Sequence, residues 1–298
     1  MFIPPLLPDE LLLGYRGRLA NIHHRIRTAD IHQQLRENFV PPQDFEGRSL
    51  LVGCLATALN TSVNQLLRDH TLMPLIAAFP ESDEESPNNE IDLEDSSSSI
   101  WLRLTRARLA MCPDCIEDDL KRLHFSYWRR SHQQPGLFRC HQHGGALMFI
   151  AHRSFLCESP DEVLGQCDEE DAEALVASTE NEIVVRANAL IGATLNSTRS
   201  ATHAAVTEKL QALAIVHSGG LDLKSTIDKI STGVLRAVSE AWRQDLMPTT
   251  GLSDDASSRL VGRALQAEQP RLPAAAICFV TAVLVLSVDE GLRILGVG

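Results

Sequence analysis

Aromatic residues are scarce in this chain of 298 residues, in which Phe, Trp and Tyr together make up 5%. With 44% hydrophobic residues, a chain of this length can still bury a substantial core. That core must be mainly aliphatic, which favours packed helices over an aromatic-rich sheet. Strand-like alternation is also lacking beyond residue 168. The sequence therefore predicts a mainly α-helical protein.

The chain also lacks a long apolar run. The longest, AAAICFVTAVLVLSV at 274–288, is shorter than the roughly 20 residues that a membrane-spanning helix requires. The opening residues MFIPPLLPDELLLGY have no basic stretch of the kind that begins a secretory signal. We therefore expect a cytoplasmic protein without a membrane partner. In that compartment its seven cysteines are reduced and are available to bind metal.

Positive charge is in deficit, because the net charge is −12. This disfavours a protein that binds nucleic acid over its whole surface, since phosphate contacts require Lys and Arg. The deficit is uneven. Eight acids and no base fall within 81–99, so we predict that 81–100 is a disordered acidic linker. Residues 101–153 hold nine basic and four acidic residues, a local balance of +5.

The linker separates an N-terminal helical domain, 1–80, from a zinc-binding module, 101–168, and a C-terminal helical domain, 169–298. In the first domain, apolar spacing predicts a helix beginning near Asp9. The segment SLLVGCLATALNTSVNQLLRDHTLMP then predicts a helix-turn-helix unit with Thr61 or Ser62 as N-cap. Gln65 and Arg68 on its second helix are candidate nucleic-acid or partner contacts. An ordinary helical hairpin without a ligand is the alternative.

The C-terminal domain is predicted to be a helical bundle. Helices are expected over 169–195 and 202–217, the second ending at Gly219 and Gly220. Two shorter helices, 224–231 and 233–246, have the spacing of a second helix-turn-helix-like unit. Helices over 253–268 and 272–288 complete the bundle, separated by Pro270 and Pro273.

Cysteine and histidine concentrate in 112–147, CPDCIEDDLKRLHFSYWRRSHQQPGLFRCHQHGGAL. Cys112 and Cys115 form a C-x2-C pair, and Cys140 and His143 repeat the same spacing. Four such ligands suit one tetrahedral structural Zn²⁺, whereas catalytic zinc usually has three protein ligands and an open position. The chain contains no H-E-x-x-H motif, so we expect no enzyme activity. His141 is an alternative fourth ligand, although the matched spacing favours His143.

Four cysteines lie outside this pattern. Cys157 and Cys167 are either an eroded second metal site or packed or free thiols, and the sequence leaves this open. Cys54 and Cys278 lie in apolar helical stretches and are expected in the core.

The segment YWRRSHQQPG lies between the two ligand pairs. Tyr127 and Trp128 are predicted to be buried where the zinc module meets the helices. Arg129 and Arg130 then point outward or form ion pairs with the acids of 117–119. In the alternative interpretation Arg129, Arg130 and His132 contact phosphates or an acidic partner.

These motifs resemble the TniQ family. The resemblance runs from C-P-x-C through Y-W-R-R-x-H-Q-x-P-G to C-x-x-H-G-x-x-L, and extends to LPDELLLGYRGRLA and LLRDHTLMP near the N-terminus. The chain departs from the family pattern at His141, where Pro is commoner, and in the acidic insert. The matching positions of the central motif are Cys112, Pro113, Cys115, Tyr127, Trp128, Arg129, Arg130, His132, Gln133, Pro135, Gly136, Cys140, His143, Gly144 and Leu147.

The resemblance implies a non-catalytic target-selection subunit of a multi-component bacterial transposon. Such a subunit links target DNA, directly or through a guide-RNA effector complex, to an AAA+ ATPase regulator. A homodimer is compatible with this role. The alternative is a helix-turn-helix transcription regulator with a structural zinc module, which would bind operator DNA as a symmetric dimer without an ATPase.

Overall fold

The computed structural model describes residues 1–24, 28–42, 50–80, 108–151, 156–167, 180–246, 254–266 and 273–297. The prediction of a mainly α-helical protein is confirmed in these ranges, where the strands form one two-stranded sheet. The predicted acidic linker, 81–100, lies outside the described residues.

The described residues of the N-terminal part form five helices, most of which pack around a small core of their own. The first begins at Leu12, three residues later than predicted, because Asp9 adopts a left-handed conformation with φ 56°. Apolar residues from these helices pack together, with Tyr15, Leu19, Leu35 and Leu55 fully buried. The helices are α1 (Leu12–Ile22), α2 (Thr28–Asn38), α3 (Leu50–Ala58), α4 (Val63–His70) and α5 (Met73–Ala77).

A short turn joins α3 to α4 where the sequence predicts one. Asn60 takes a left-handed conformation with φ 52°. Ser62 is the N-cap of α4, and its hydroxyl accepts a hydrogen bond from the Gln65 amide at 3.1 Å. The helix pair and the cap are therefore present. That α4 contacts nucleic acid stays a prediction.

The following segment forms a small sheet with one main helix. Strands β1 (Leu109–Met111) and β2 (Met148–Ile150) are antiparallel, with Ala110 opposite Phe149. They were not predicted, because three-residue strands are too short to show alternation. Helix α6 (Pro113–Leu123) follows β1 directly, and α7 (Pro160–Val163) follows β2. Short 3₁₀ turns occupy Ser131–Gln133 and Leu164–Gln166.

In the described residues from 180 onward, the chain forms seven further helices. Thr202 caps the N-terminus of α9. The predicted glycine stop at its other end is confirmed, because Gly219 ends the helix in a left-handed conformation with φ 81°. Helix α13 is buried along nearly its whole length and packs along α8. In the described ranges no helix is long and apolar enough to cross a membrane. The helices are α8 (Glu182–Asn196), α9 (His203–Ser218), α10 (Leu223–Ala237), α11 (Glu240–Leu246), α12 (Asp254–Gln266), α13 (Ala274–Leu284) and α14 (Val288–Leu295).

The second helix-turn-helix-like unit requires a correction. The break predicted between 231 and 233 is absent, because α10 continues through Gly233 to residue 237. A glycine inside a helix costs about 1 kcal/mol, which is too little to end a helix that buries Thr226, Ile227 and Ser231 on one face. The chain breaks instead at Ser239, whose hydroxyl accepts from the Trp242 amide at 3.3 Å. Helix α14 was not predicted, and Ser287 caps its N-terminus.

One hydrophobic core spans the segment after β1 and the C-terminal helices. Trp242 of α11 is fully buried, and its ring centroid lies 5.0 Å from that of Phe279 in α13. The Trp242 indole N–H donates to the Gly136 carbonyl at 2.8 Å. The predicted boundary at 168/169 therefore does not divide the core.

Helix α1 contacts the rest of the chain through two glycines. A Cβ on Gly14 would lie 2.8 Å from the Trp128 side chain, and one on Gly17 would lie 2.2 Å from the Leu156 carbonyl oxygen. We expect Gly17→Ala to lower the free energy of unfolding by about 1–3 kcal/mol, since backbone must move to admit the methyl group. Urea denaturation would measure this. Gly165→Ala is the matched control, because a Cβ there meets nothing within 4 Å, and equal effects of the two changes would contradict the close packing.

Candidate metal centre

Two tight backbone turns carry the four predicted ligands. Cys112 follows β1 as the N-cap of α6, and Cys115 lies in the first turn of that helix. Cys140 opens a second turn, in which its amide donates to the Gly145 carbonyl at 2.8 Å and its carbonyl accepts from the Gly144 amide at 2.8 Å. Gly144 permits this turn with φ 69°. The antiparallel pairing of β1 and β2 holds the two turns together.

The four ligand atoms of Cys112, Cys115, Cys140 and His143 converge within 4.8 Å of one another. Sulfur atoms of Cys115 and Cys140 are 3.6 Å apart, and His143 Nδ1 lies 3.3 Å from Cys115 Sγ and 3.7 Å from Cys112 Sγ. Ligands about 2.3 Å (sulfur) and 2.0 Å (nitrogen) from a zinc ion lie about 3.5–3.8 Å apart in a tetrahedron. The spacing therefore fits a tetrahedral metal ion.

The thiols influence one another's ionisation. A hydrogen bond with Cys140 raises the pKa of Cys115, and the same contact lowers the pKa of Cys140. Burial raises the pKa of Cys112. Buried thiols this close therefore ionise at one another's expense, and a bound cation is what allows all three to be thiolates together.

Two side chains surround the ligands without belonging to the group of four. Asp118 accepts from His143 Nε2 at 3.1 Å, which leaves Nδ1 facing the sulfurs. Hydrogen bonds with Cys140 and then Asp118 raise the pKa of His143. His132 is buried, with Nε2 at 3.6 Å from Cys140 Sγ and 3.8 Å from Cys115 Sγ. Sequence reasoning missed both roles, although Asp118 lies three residues after Cys115 and so shares its helix face.

The remaining histidine and cysteines lie outside this cluster. His141 is exposed, so the geometry selects His143 over it as the fourth member. Cys157 is exposed, and Cys167 is half-buried with its sulfur 4.0 Å from Met111 Sδ. Neither belongs to a metal-holding group among the described residues. Cys54 and Cys278 are buried, as expected.

Arg129 is buried and forms an internal ion pair. Its guanidinium group donates to both carboxylate oxygens of Asp119, at 2.7 and 2.8 Å, and stacks 4.4 Å from the Tyr127 ring centroid. Burial alone would lower the pKa of Arg129, but the hydrogen bonds and charge of Asp119 outweigh it and raise the pKa. The predicted ion pair with the acids of 117–119 is thus present. Contact of Arg129 with a phosphate is disfavoured, because its donors are buried and engaged.

Arg130 joins three parts of the chain. Its guanidinium donates to the Arg68 carbonyl of α4 at 2.5 Å and to Asn196 Oδ1 at the end of α8 at 2.6 Å. Its Nε also lies 3.3 Å from Asp9 Oδ1. Together with the burial of His132, this corrects the interpretation in which the side chains of Arg129, Arg130 and His132 face a ligand from the surface.

The motif YWRRSHQQPG forms hydrogen bonds to several other segments of the chain. Tyr127 and Trp128 are buried, as predicted, and their polar atoms donate to the carbonyls of Pro8 and Glu158. The buried Gln133 amide bonds both the N–H and the C=O of Ala110 in β1, at 3.1 and 2.8 Å. The motif thereby fixes the sheet that positions the first cysteine pair.

The N-terminal segment pairs with this motif across the fold. The amide of Leu11 donates to the Trp128 carbonyl at 2.7 Å, and the amide of Arg130 donates to the Asp9 carbonyl at 2.8 Å. The carboxylate of Asp9 also accepts from the amide of Ser131 at 3.1 Å. Sequence elements more than 100 residues apart therefore form one structural unit.

Gln65 and Arg68 remain on the outer side of α4. Gln65 is exposed, and its side-chain oxygen accepts from the Thr61 hydroxyl at 3.1 Å. Arg68 is half-buried and lines a cleft beside α8. These two, unlike the arginines of the motif, are placed where a ligand can reach them.

Comparison with known proteins finds similarity in the part of the chain that carries these motifs. Residues 1–147 match the family model described as TniQ. The chain is also similar to the Escherichia coli protein named Transposon Tn7 transposition protein TnsD, with 26% identity over 126 residues. That match covers 35% of this chain and 25% of the relative, so the chain aligns with about a quarter of the relative's length. The family match includes α3, α4 and all four members of the metal cluster.

Proposed function

We propose that this chain, whose residues 1–147 match the TniQ family model, selects target sites for a multi-component bacterial transposon. The observation that carries the proposal is that hydrogen bonds join the described parts of the matched range, which hold both the α3–α4 helix pair and the metal cluster. The similarity to a relative named as a transposition protein supports it. In this role the chain is a non-catalytic subunit that recognises and recruits.

The metal cluster supports a structural role in that function. We propose that Cys112, Cys115, Cys140 and His143 hold one Zn²⁺. With four protein ligands a bound ion would have its tetrahedral positions filled, and none would remain for a substrate or a water. When bound, the ion joins β1 and α6 to the turn at 140–145. It thereby stiffens the motif segment between them, which carries Arg130 to α4 and α8.

The partners follow from the proposed role. One surface must engage the target, either as DNA or as a guide-RNA effector complex bound to it, and another must engage an AAA+ ATPase regulator. A net charge of −12 gives little general affinity for DNA. Recognition therefore depends on a few placed contacts or on a partner that has already found the site. By either route, the protein then recruits the ATPase to the chosen site.

Co-purification with the ATPase encoded beside the gene tests this proposal. We expect the chain to bind that ATPase at physiological salt more tightly than it binds random duplex DNA, whose electrostatic contribution is screened. DNA affinity should be measured over a salt series in the same preparations. A homodimer that binds an operator tightly, with no ATPase binding on any target DNA or effector complex, would contradict the proposal and support the regulator alternative.

A further inference from the structure

A cleft of about 120 Å³ opens between the proposed target-facing helix α4 and the chain that follows α8. One wall is formed by α4 and α5, and the other by Thr194 and the segment 197–200. Every residue on the Thr194 and 197–200 wall is polar, whereas Pro74, Ala77 and Ala78 make the α4–α5 wall partly apolar. None of the lining residues is acidic. The lining residues used below are Asn64, Arg68, Ser197, Thr198, Arg199 and Ser200.

Two guanidinium groups line this cleft without a carboxylate partner. Arg68 is half-buried and Arg199 is exposed, and neither forms an ion pair with any residue in the described ranges. The contrast with Arg18, Arg129 and Arg130 is informative, because each of those pairs with a carboxylate. Arg68 and Arg199 are thus cations available to an external anion.

The cleft is rigidly built. Arg130 donates to the Arg68 carbonyl on one wall and to Asn196, next to the other wall, so one buried side chain fixes the distance between them. The Ser197 hydroxyl bonds the backbone N–H and C=O of Arg199, at 3.1 and 2.6 Å, which fixes the loop. Ser200 Oγ accepts from the Phe79 amide at 3.2 Å and ties the loop to the chain after α5.

The cleft lies beside helix α4, which contributes two of its lining residues. Asn64 and Arg68 are four residues apart and share the helix face that lines the cleft. Gln65, three residues before Arg68, is exposed on the adjacent face. A backbone phosphate held in the cleft would therefore set the depth and register of α4 on a duplex, which is the role of contacts that position a recognition helix.

We propose that Arg68 and Arg199 together bind one phosphodiester group of duplex DNA in this cleft, with the hydroxyl of Thr198 or Ser200 as an additional donor. Guanidinium groups suit phosphate oxygens because they are planar and donate two hydrogen bonds. This inference rests on the proposed function and adds to it the direct DNA route and its anchoring contact.

Binding of a labelled random-sequence duplex over a salt series tests the inference. The Arg68→Ala/Arg199→Ala double variant should bind more weakly, and the slope of log affinity against log salt should fall by about 1, the value for one lost phosphate contact. Lys224→Ala removes one charge at an exposed position outside the cleft and should leave the slope unchanged. Thermal unfolding of the double variant should match that of the parent, since neither arginine has an internal ion-pair partner.

The other outcomes overturn the inference. An unchanged slope in a folded double variant means that the cleft holds no DNA phosphate, while continued co-purification with the ATPase leaves the proposed function standing. Loss of ATPase binding with unchanged DNA affinity assigns the cleft to an acidic protein partner. A parent protein that binds no duplex at any salt concentration also contradicts the inference, although the guide-RNA route to target selection then survives.

Discussion

Cys115→Ser is expected to reduce bound zinc from about one ion per chain to almost none and to destabilise the fold from residue 108 onward. Cys115 is buried, and its sulfur lies 3.6 Å from Cys140 Sγ and 3.3 Å from His143 Nδ1, so its loss removes a central ligand. Structural zinc contributes folding free energy directly, on the order of 10 kcal/mol in small domains. Elemental analysis of purified protein and thermal unfolding would measure the two effects.

Cys157→Ser provides the matched control for this substitution. Cys157 is exposed and lies outside the cluster. The zinc content and unfolding temperature of the Cys157→Ser variant should therefore equal those of the parent protein. Chelation of the parent protein should reproduce the Cys115→Ser result. Full folding after complete chelation, or one zinc per chain in Cys115→Ser, would show that these four side chains are not a structural metal site.

Asp119→Ala should lower the free energy of unfolding by about 3–5 kcal/mol, the typical cost of removing one partner of a buried ion pair. Asp119 is fully buried and accepts both hydrogen bonds from Arg129, which is itself 8% exposed. The substitution leaves the guanidinium group buried against Tyr127 without a counter-charge. Urea denaturation measures the loss. Asp119→Asn keeps an acceptor without the charge, so its free energy of unfolding should lie between those of the parent and Asp119→Ala.

Helix α6 also supplies the control for this pair. Lys121 and Glu117 form an i,i+4 ion pair at 2.6 Å, with 63% and 65% of their side chains exposed. Such a pair is screened by solvent, so Lys121→Ala should cause no measurable change in stability. Equal responses to Asp119→Ala and Lys121→Ala would mean that the Arg129–Asp119 pair is not the internal contact described above.

The metal cluster could be predicted because its determinants are local. Each ligand pair is set by a turn of four residues, so matched x2 spacing in the sequence already implies two turns of suitable size. The Ser62 cap and the glycine end of α9 were predictable for the same reason, since each depends on a few neighbouring residues.

The role of Arg130 could not be predicted from its neighbours. The residues that it contacts lie 62, 66 and 121 positions away, so only the tertiary fold decides that its side chain points inward. His132 illustrates the same limit, because the sequence places it eight residues before Cys140 and gives no indication that its ring meets two sulfurs. Long-range packing settled which charged side chains of the motif are internal.

Helix continuity was misjudged where local and tertiary effects compete. Gly233 indicates a break by propensity, but α10 buries Thr226 and Ile227 upstream of it and packs against α9 and α12. Packing of this kind outweighs the roughly 1 kcal/mol propensity cost of a glycine. In α1, tertiary contacts shorten the helix instead of extending it. Hydrogen bonds from Ser131 and Arg130 hold Asp9 outside α1, so the helix begins later than its sequence predicts.

Sequencing of insertion junctions tests the central claim most directly. In cells carrying the whole transposon with its ATPase and transposase genes, insertions should concentrate at preferred target sites when this gene is present. Deletion of the gene should remove that concentration, and the parent gene supplied separately should restore it. An unchanged frequency and distribution of insertions after deletion would contradict a role in target selection.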